Sequence, residues 1–120
     1  MNTLTGDELL DLYIEAWTKL DAEIIIPHLA SDFQYTSFWV LETLDRQGYT
    51  DYIRRKIESI KQSDSQILLK RYNTAGNLAI GIIQDGREEI YLRITVKDGK
   101  INSAWMTPFS EGIKCYDYLS

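Results

Sequence analysis

Few side chains in this 120-residue sequence are of a type that moves protons or attacks carbon at neutral pH. His28, the single histidine, has the pKa of a proton shuttle and follows Pro27 near the end of a short apolar run; it reads either as that shuttle or as a surface histidine. Glu42 and Asp45 fall in a segment without clear periodicity. Either would serve as an acid or base if turned into an apolar site that raised its pKa, and either would otherwise be a solvated loop charge. Cys115, the single cysteine, has no base placed by sequence to activate it and reads as a bystander. The sequence contains no metal-ligand spacing, no nucleophile triad and no phosphate-cradling glycine loop, so neither a metal nor a cofactor is expected.

The aromatic residues are the other chemical resource. The chain carries 3 Trp, 8 Tyr and 3 Phe. Tyr13, Trp17, Trp39, Tyr52 and Trp105 sit at helix or strand periodicity, which is the habit of plain core residues. Tyr and Trp also bring a polar handle that seeks a partner, and several of them converging on one cavity is how small-molecule pockets are lined.

The elements that must position these groups can be read in order. Thr5 and Glu8 match a capping box, and apolar residues at Leu9, Leu10, Tyr13, Ala16, Trp17 and Leu20 then line one helical face. Asp21 is suited to cap a second, shorter helix through Ile24, Ile25, Ile26 and Leu29, which Pro27 kinks or ends. Phe33, Tyr35 and Ser37 alternate with polar neighbours as a strand, sharing one side. After an unreadable stretch at 38–45, Tyr49, Tyr52, Ile53, Ile57 and Ile60 repeat as a third helix, with Gly48 or Thr50 as its cap. Four β-rich runs come next, at about 66–73, 78–84, 88–97 and 100–107. The turns between them are Thr74-Ala75-Gly76-Asn77, Asp85-Gly86 and Asp98-Gly99, and Asp-Gly between apolar runs marks a hairpin. Helices first and an antiparallel meander after them predict an α+β domain. In the run 88–97, Ile90, Leu92, Ile94 and Val96 would face the helices and Tyr91, Arg93, Thr95 and Lys97 the other side.

Length predicts a single domain over residues 1–120. A net charge of −5 argues against nucleic acid as a partner, because the phosphate backbone is bound by Lys and Arg; Arg54, Arg55 and Lys56 read as a solvated helix face. A lone cysteine permits no intrachain disulfide, and the first residues lack a signal-peptide pattern, so the expected location is the cytoplasm, with no membrane contact.

Three runs carry a family resemblance. They are Tyr13-x-x-Ala16-Trp17-x-x-x-Asp21, then Leu29-Ala30-Ser31-Asp32-Phe33-x-Tyr35 with Gly48 opening a helix, and finally Asp98-Gly99-Lys100-Ile101-x-x-x-Trp105. Their order over about the first 107 residues resembles the nuclear transport factor 2-like superfamily, including its SnoaL-like and ketosteroid isomerase-like branches. The resemblance implies a cone-shaped, cystatin-like fold in which N-terminal helices pack on a curved antiparallel sheet around an apolar pocket. It also implies a homodimer through the outer sheet face, here with Tyr91, Arg93 and Thr95. Functions in the superfamily run from isomerases, cyclases and dehydratases to binding and scaffold proteins, so fold does not decide function.

In the isomerase-like branch a tyrosine on the first helix donates to the developing oxyanion and an aspartate at the end of the first strand moves the proton. Aligned without gaps, Tyr13 takes the first position but Ser37 takes the second, and a hydroxyl cannot act as that base. The region Tyr91 to Arg93, where a second oxyanion donor would fall, offers no carboxylate. The expected function is therefore a pocket protein for a small apolar or aromatic ligand, lined by Tyr13, Trp17, Tyr35, Ser37, Trp39, Tyr52 and Trp105. The alternatives are an isomerase, cyclase or hydratase using Glu42, Asp45 or His28, and a scaffold whose interior is filled by its own side chains.

Overall fold

Thr5 opens the first helix as its spacing with Glu8 predicts: the Glu8 amide donates to Thr5 Oγ1 at 3.1 Å and the Thr5 amide donates to Glu8 Oε1 at 2.9 Å. In the computed structural model, which describes residues 3–39, 42–74 and 77–110, this helix, α1, spans Gly6–Lys19. It buries Leu9, Leu10, Tyr13, Ala16 and Trp17. Leu20, expected on the same face, is instead the left-handed C-cap, with φ 53°; its amide closes the last turn onto the Ala16 and Trp17 carbonyls.

Asp21 caps the next segment, accepting from the Glu23 amide at 3.0 Å, but the expected short helix is two 3₁₀ turns, Ala22–Ile24 and Ile26–His28. The apolar run Ile24 to Ile26 is too short for an α-helix once Pro27, which lacks an amide donor, occupies the second turn. Strand β1 spans Leu29–Ser37 and buries Leu29, Phe33 and Tyr35. The stretch after it returns as a two-residue strand, β2, Leu44–Asp45, antiparallel to β1. Helix α2, Arg46–Ser63, is capped by Asp45, whose Oδ1 accepts from the Gly48 amide at 2.8 Å. Neither Gly48 nor Thr50 is the cap, because both already lie inside the first turns, three and five residues beyond the carboxylate that does the work.

The meander is made of β3 Ile67–Thr74, β4 Asn77–Gln84, β5 Ile90–Lys97 and β6 Lys100–Thr107. Both Asp-Gly pairs have positive φ at both residues, Asp85 53° with Gly86 74° and Asp98 53° with Gly99 75°, the backbone that a tight hairpin requires. Of the first turn, Ala75 and Gly76 lie outside the described residues. The strands make one curved, unclosed sheet in the order β2-β1-β6-β5-β4-β3. It is antiparallel except where β1 joins β6 in parallel, with Tyr35 beside Ala104 and Ser37 beside Met106. Strand β5 splits as its alternation predicts, with Leu92 and Ile94 in the core.

Polar contacts fix the helices to this frame. Arg71 on β3 donates to Asp11 at 2.8 Å and Asp7 at 2.6 Å on α1, and Asn73 adds a bond to Asp7. Arg54 on α2 holds Glu23 in a two-pronged ion pair, while Arg46 donates to the Leu29 and Ile26 carbonyls. On the outer sheet face Glu89 accepts from Tyr72 at 2.7 Å and Tyr91 at 3.2 Å, its carboxylate resting over Gly81. Among the described residues no helix is long and apolar enough to cross a membrane.

Candidate functional site

Tyrosine hydroxyls gather where α1, α2 and β1 meet. Tyr13 projects from the buried face of α1, Tyr49 and Tyr52 from successive turns of α2, and Phe33 and Tyr35 from the inner side of β1. Tyr49 is the hub, with ring centroids 5.0 Å from Phe33, 4.7 Å from Tyr35 and 6.1 Å from Tyr52. Tyr35 in turn stacks on Tyr52 at 5.5 Å. The Tyr13 and Tyr49 hydroxyls share a hydrogen bond in which either can donate.

Burial governs the electrostatics. Removal from water pushes the Tyr13, Tyr35 and Tyr49 phenols well above the ordinary range, so all three are neutral donors at physiological pH. The Tyr35 hydroxyl is buried without a hydrogen-bond partner, although the Tyr52 and Ser37 hydroxyls are close enough to influence its ionisation. Trp17 Nε1 and Thr50 Oγ1 are also buried and unpartnered. Such atoms are rare in folded interiors, because a buried polar group is costly until it has a hydrogen-bonding partner.

Among the described residues no carboxylate or histidine joins them: the buried side chains include no carboxylate, histidine, lysine or arginine. Glu42 is exposed, and Asp45 is exposed and committed to capping α2. His28 is half-buried outside the cluster; desolvation, with a smaller contribution from the nearby Lys100 ammonium, lowers its pKa. Cys115 lies outside the described residues. No group of three or more His, Cys, Asp or Glu among the described residues could hold a metal ion.

The seven expected pocket residues do not line one cavity. Tyr13, Tyr35 and Tyr52 come together, with Ser37 beside Tyr35 and its Oγ accepting from the Trp39 amide at 3.1 Å. Trp17 is buried elsewhere, against a hollow between α1 and β3 formed with Ile14, Leu20 and Leu69. Trp39 and Trp105 are 52% and 46% exposed. Trp105 lies on the outer face because Ala104 and Met106, its neighbours in β6, take the inner side; the Arg93 guanidinium sits 5.3 Å above its ring. Tyr49 was readable as a core position of α2 but not as the partner of Tyr13, because nothing local to either residue encodes a meeting across two elements.

The tyrosine cluster approaches solvent at Tyr52. This half-buried ring, stacked inward on Tyr35, also lines an open hollow of about 350 Å³ beside α2. Arg55, Lys56, Ser59 and Ile60 continue the lining along the helix, and Gln84 at the end of β4 closes the far side.

No family model matches the sequence, and no curated protein matches it significantly. Solved structures do. An NTF2-like protein of unknown function from Cytophaga hutchinsonii superimposes with a TM-score of 0.66 at 13% identity, over 92% of this chain and 95% of that one. A SnoaL-like protein of unknown function from Burkholderia thailandensis gives 0.67 at 16%, over 88% and 97%. A hypothetical protein with a ketosteroid isomerase-like fold from Catenulispora acidiphila, in complex with trimethylamine, gives 0.59 at 15%, over 85% of each chain. At these identities the likeness establishes the fold: the chain has the nuclear transport factor 2-like architecture, as the sequence resemblance implies.

Proposed function

We propose that this protein binds a small, largely apolar molecule at the Tyr52 end of its tyrosine cluster and does not perform ketosteroid-type isomerisation. The observation that carries the reading is the Tyr35 hydroxyl: a buried neutral donor that makes no well-formed hydrogen bond, with only the Tyr52 and Ser37 hydroxyls near it, behind a ring that also lines an open hollow. A ligand carbonyl reaching it would satisfy a polar group whose isolation costs about 1–3 kcal/mol. The fold neighbour in complex with trimethylamine supports the idea that this architecture accommodates small molecules. Isomerisation needs a base as well as a donor, and the described interior has no carboxylate or histidine to supply one.

Titration with naphthalene carboxamide, an uncharged aromatic amide, followed by amide chemical shifts, is expected to saturate, to perturb α2 residues around Tyr52, and to weaken in Tyr35→Phe. A 3-oxo-Δ5 steroid is expected to isomerise no faster than in buffer. Rapid turnover abolished by Tyr13→Phe would overturn the non-isomerase reading, and the absence of any saturable response would overturn the binding reading.

A second reading, an interaction module, has its own support. Phe38 packs edge-on against both Trp39 and Phe109, with centroids at 5.6 and 5.2 Å, and all three rings are exposed. Exposed aromatic clusters of this kind favour association, and a homodimer using this patch together with the outer face around Arg93 and Trp105 is the arrangement we propose.

A further inference from the structure

We infer that the hollow beside α2 selects an anion: the ligand is an aromatic or otherwise planar apolar acid whose carboxylate is held by Arg55 and Lys56 while its apolar body lies against Tyr52 and Ile60. This rests on the binding reading above through the shared Tyr52 wall and gives an acid group a place of its own, at Arg55 and Lys56 on the open hollow instead of at the buried Tyr35 hydroxyl.

The distribution of charge singles this hollow out. The chain is acidic overall, with 18 Asp and Glu against 13 Lys and Arg, and several of its cations are already engaged. Arg54 is held by Glu23, Arg71 by Asp7 and Asp11, and Lys19 by Glu15. Arg46 and Lys100 donate to backbone carbonyls, and Arg93 sits over Trp105. Arg55 and Lys56, like Lys61, Lys70, Arg87 and Lys97, make no ion pair among the described residues, but only these two stand together on the wall of a hollow that holds no carboxylate.

The other hollows differ in kind. The one beside Pro27 and Arg46 offsets its cations with Asp32 and Asp98, and the one around Arg54 contains Asp21, Glu23 and Glu58. The hollow between α1 and β3 has no charge, and the one beneath Trp105 has Arg93 alone. Only the Tyr52 hollow, of these five, combines two cations with no carboxylate, an aromatic wall and an apolar residue. An adjacent guanidinium and ammonium favour a carboxylate over a neutral group, the guanidinium by its planar fork and the ammonium as a point charge. Ser59 and Gln84 add neutral hydrogen-bonding groups at the same rim.

Amide-shift titrations with naphthalene carboxylate and with its carboxamide, on the full chain, separate charge selection from binding itself. The carboxylate is expected to bind about tenfold more tightly than the amide, the difference one charge-assisted contact makes, and to lose that advantage in Arg55→Gln/Lys56→Gln and in high salt. The amide's affinity is expected to be unchanged by that double variant, and Arg54→Gln, which leaves the hollow intact, is expected to alter neither. Equal binding of both probes, or a carboxylate preference that survives the double variant, would overturn the inference while leaving the binding reading standing. Binding of neither probe would overturn both.

Discussion

The hydroxyl of Tyr13 on α1 meets the hydroxyl of Tyr49 on α2, 36 residues later, in a contact buried from solvent. Each satisfies the other, so removing one leaves a buried phenol without a partner. Tyr13→Phe or Tyr49→Phe alone is expected to destabilise the fold by about 1–3 kcal/mol, and the double Phe variant by less than the sum. Urea unfolding of the four proteins closes this cycle; strict additivity would show that the pair is not coupled.

The same burial sets an alkaline limit. Tyr13, Tyr35 and Tyr49 have raised pKa values in the folded protein, while in the unfolded chain they would ionise near 10. Their contribution to stability is therefore complete below about pH 10 and is lost as pH rises from there through their folded values. Ultraviolet titration is expected to show the exposed tyrosines ionising first and the remainder only together with unfolding.

His28 works in the opposite direction. Its lowered pKa, from desolvation first and the Lys100 charge second, means that the unfolded chain takes up the proton before the folded one does. Stability should hold above the ordinary histidine value of about 6.5 and decline as pH falls through the folded value. By NMR, Lys100→Met is expected to raise the His28 pKa part of the way and leave it below that ordinary value.

Gly81 is required by what lies above it. A methyl group there would meet the Glu89 carboxylate and come within 2.8 Å of Tyr72 Cε2. Gly81→Ala is expected to cost about 1–3 kcal/mol by displacing the carboxylate from its two tyrosines. Adding Glu89→Ala should recover part of that loss but not the part due to the Tyr72 ring, which thermal melts of the single and double variants would resolve.

The proposed homodimer is checked by light scattering, with twice the 13.9 kDa chain mass expected at tens of micromolar. Trp39→Asp/Phe109→Asp is expected to return the mass to that of one chain without loss of helicity. A wild-type monomer at that concentration would rule the dimer out.

What could be read from the sequence was what neighbouring residues decide among themselves. Thr5 with Glu8, and the Asp-Gly pairs at 85–86 and 98–99, act within a few bonds of one another, so their structures are set by local chemistry. The alternation in β5 was equally plain, and its apolar set faces inward as expected, whereas the run that forms β6 was read only as a strand with no face assigned. Trp105 was expected in the pocket and lies outside because β6 packs Ala104 and Met106 inward beside Tyr35 and Ser37 of β1. The Asp45 cap was missed because the segment before it has no period, and the link between Tyr13 and Tyr49 depends on how two helices cross, which neither helix records.

The parallel seam between β1 and β6 also shapes how the chain comes into being. Leu29 pairs with Ile101 and Ser37 with Met106, so an early strand gains this neighbour only when nearly the whole described chain has been made. During synthesis, Phe33 and Tyr35 must wait while both Asp-Gly hairpins emerge, and the late β3–β6 ribbon can assemble before the early strand is enclosed. Closing so long a loop is slow, and a nascent chain stopped short of β6 would present an unpaired aromatic edge, the kind of surface that chaperones hold and that aggregates recruit.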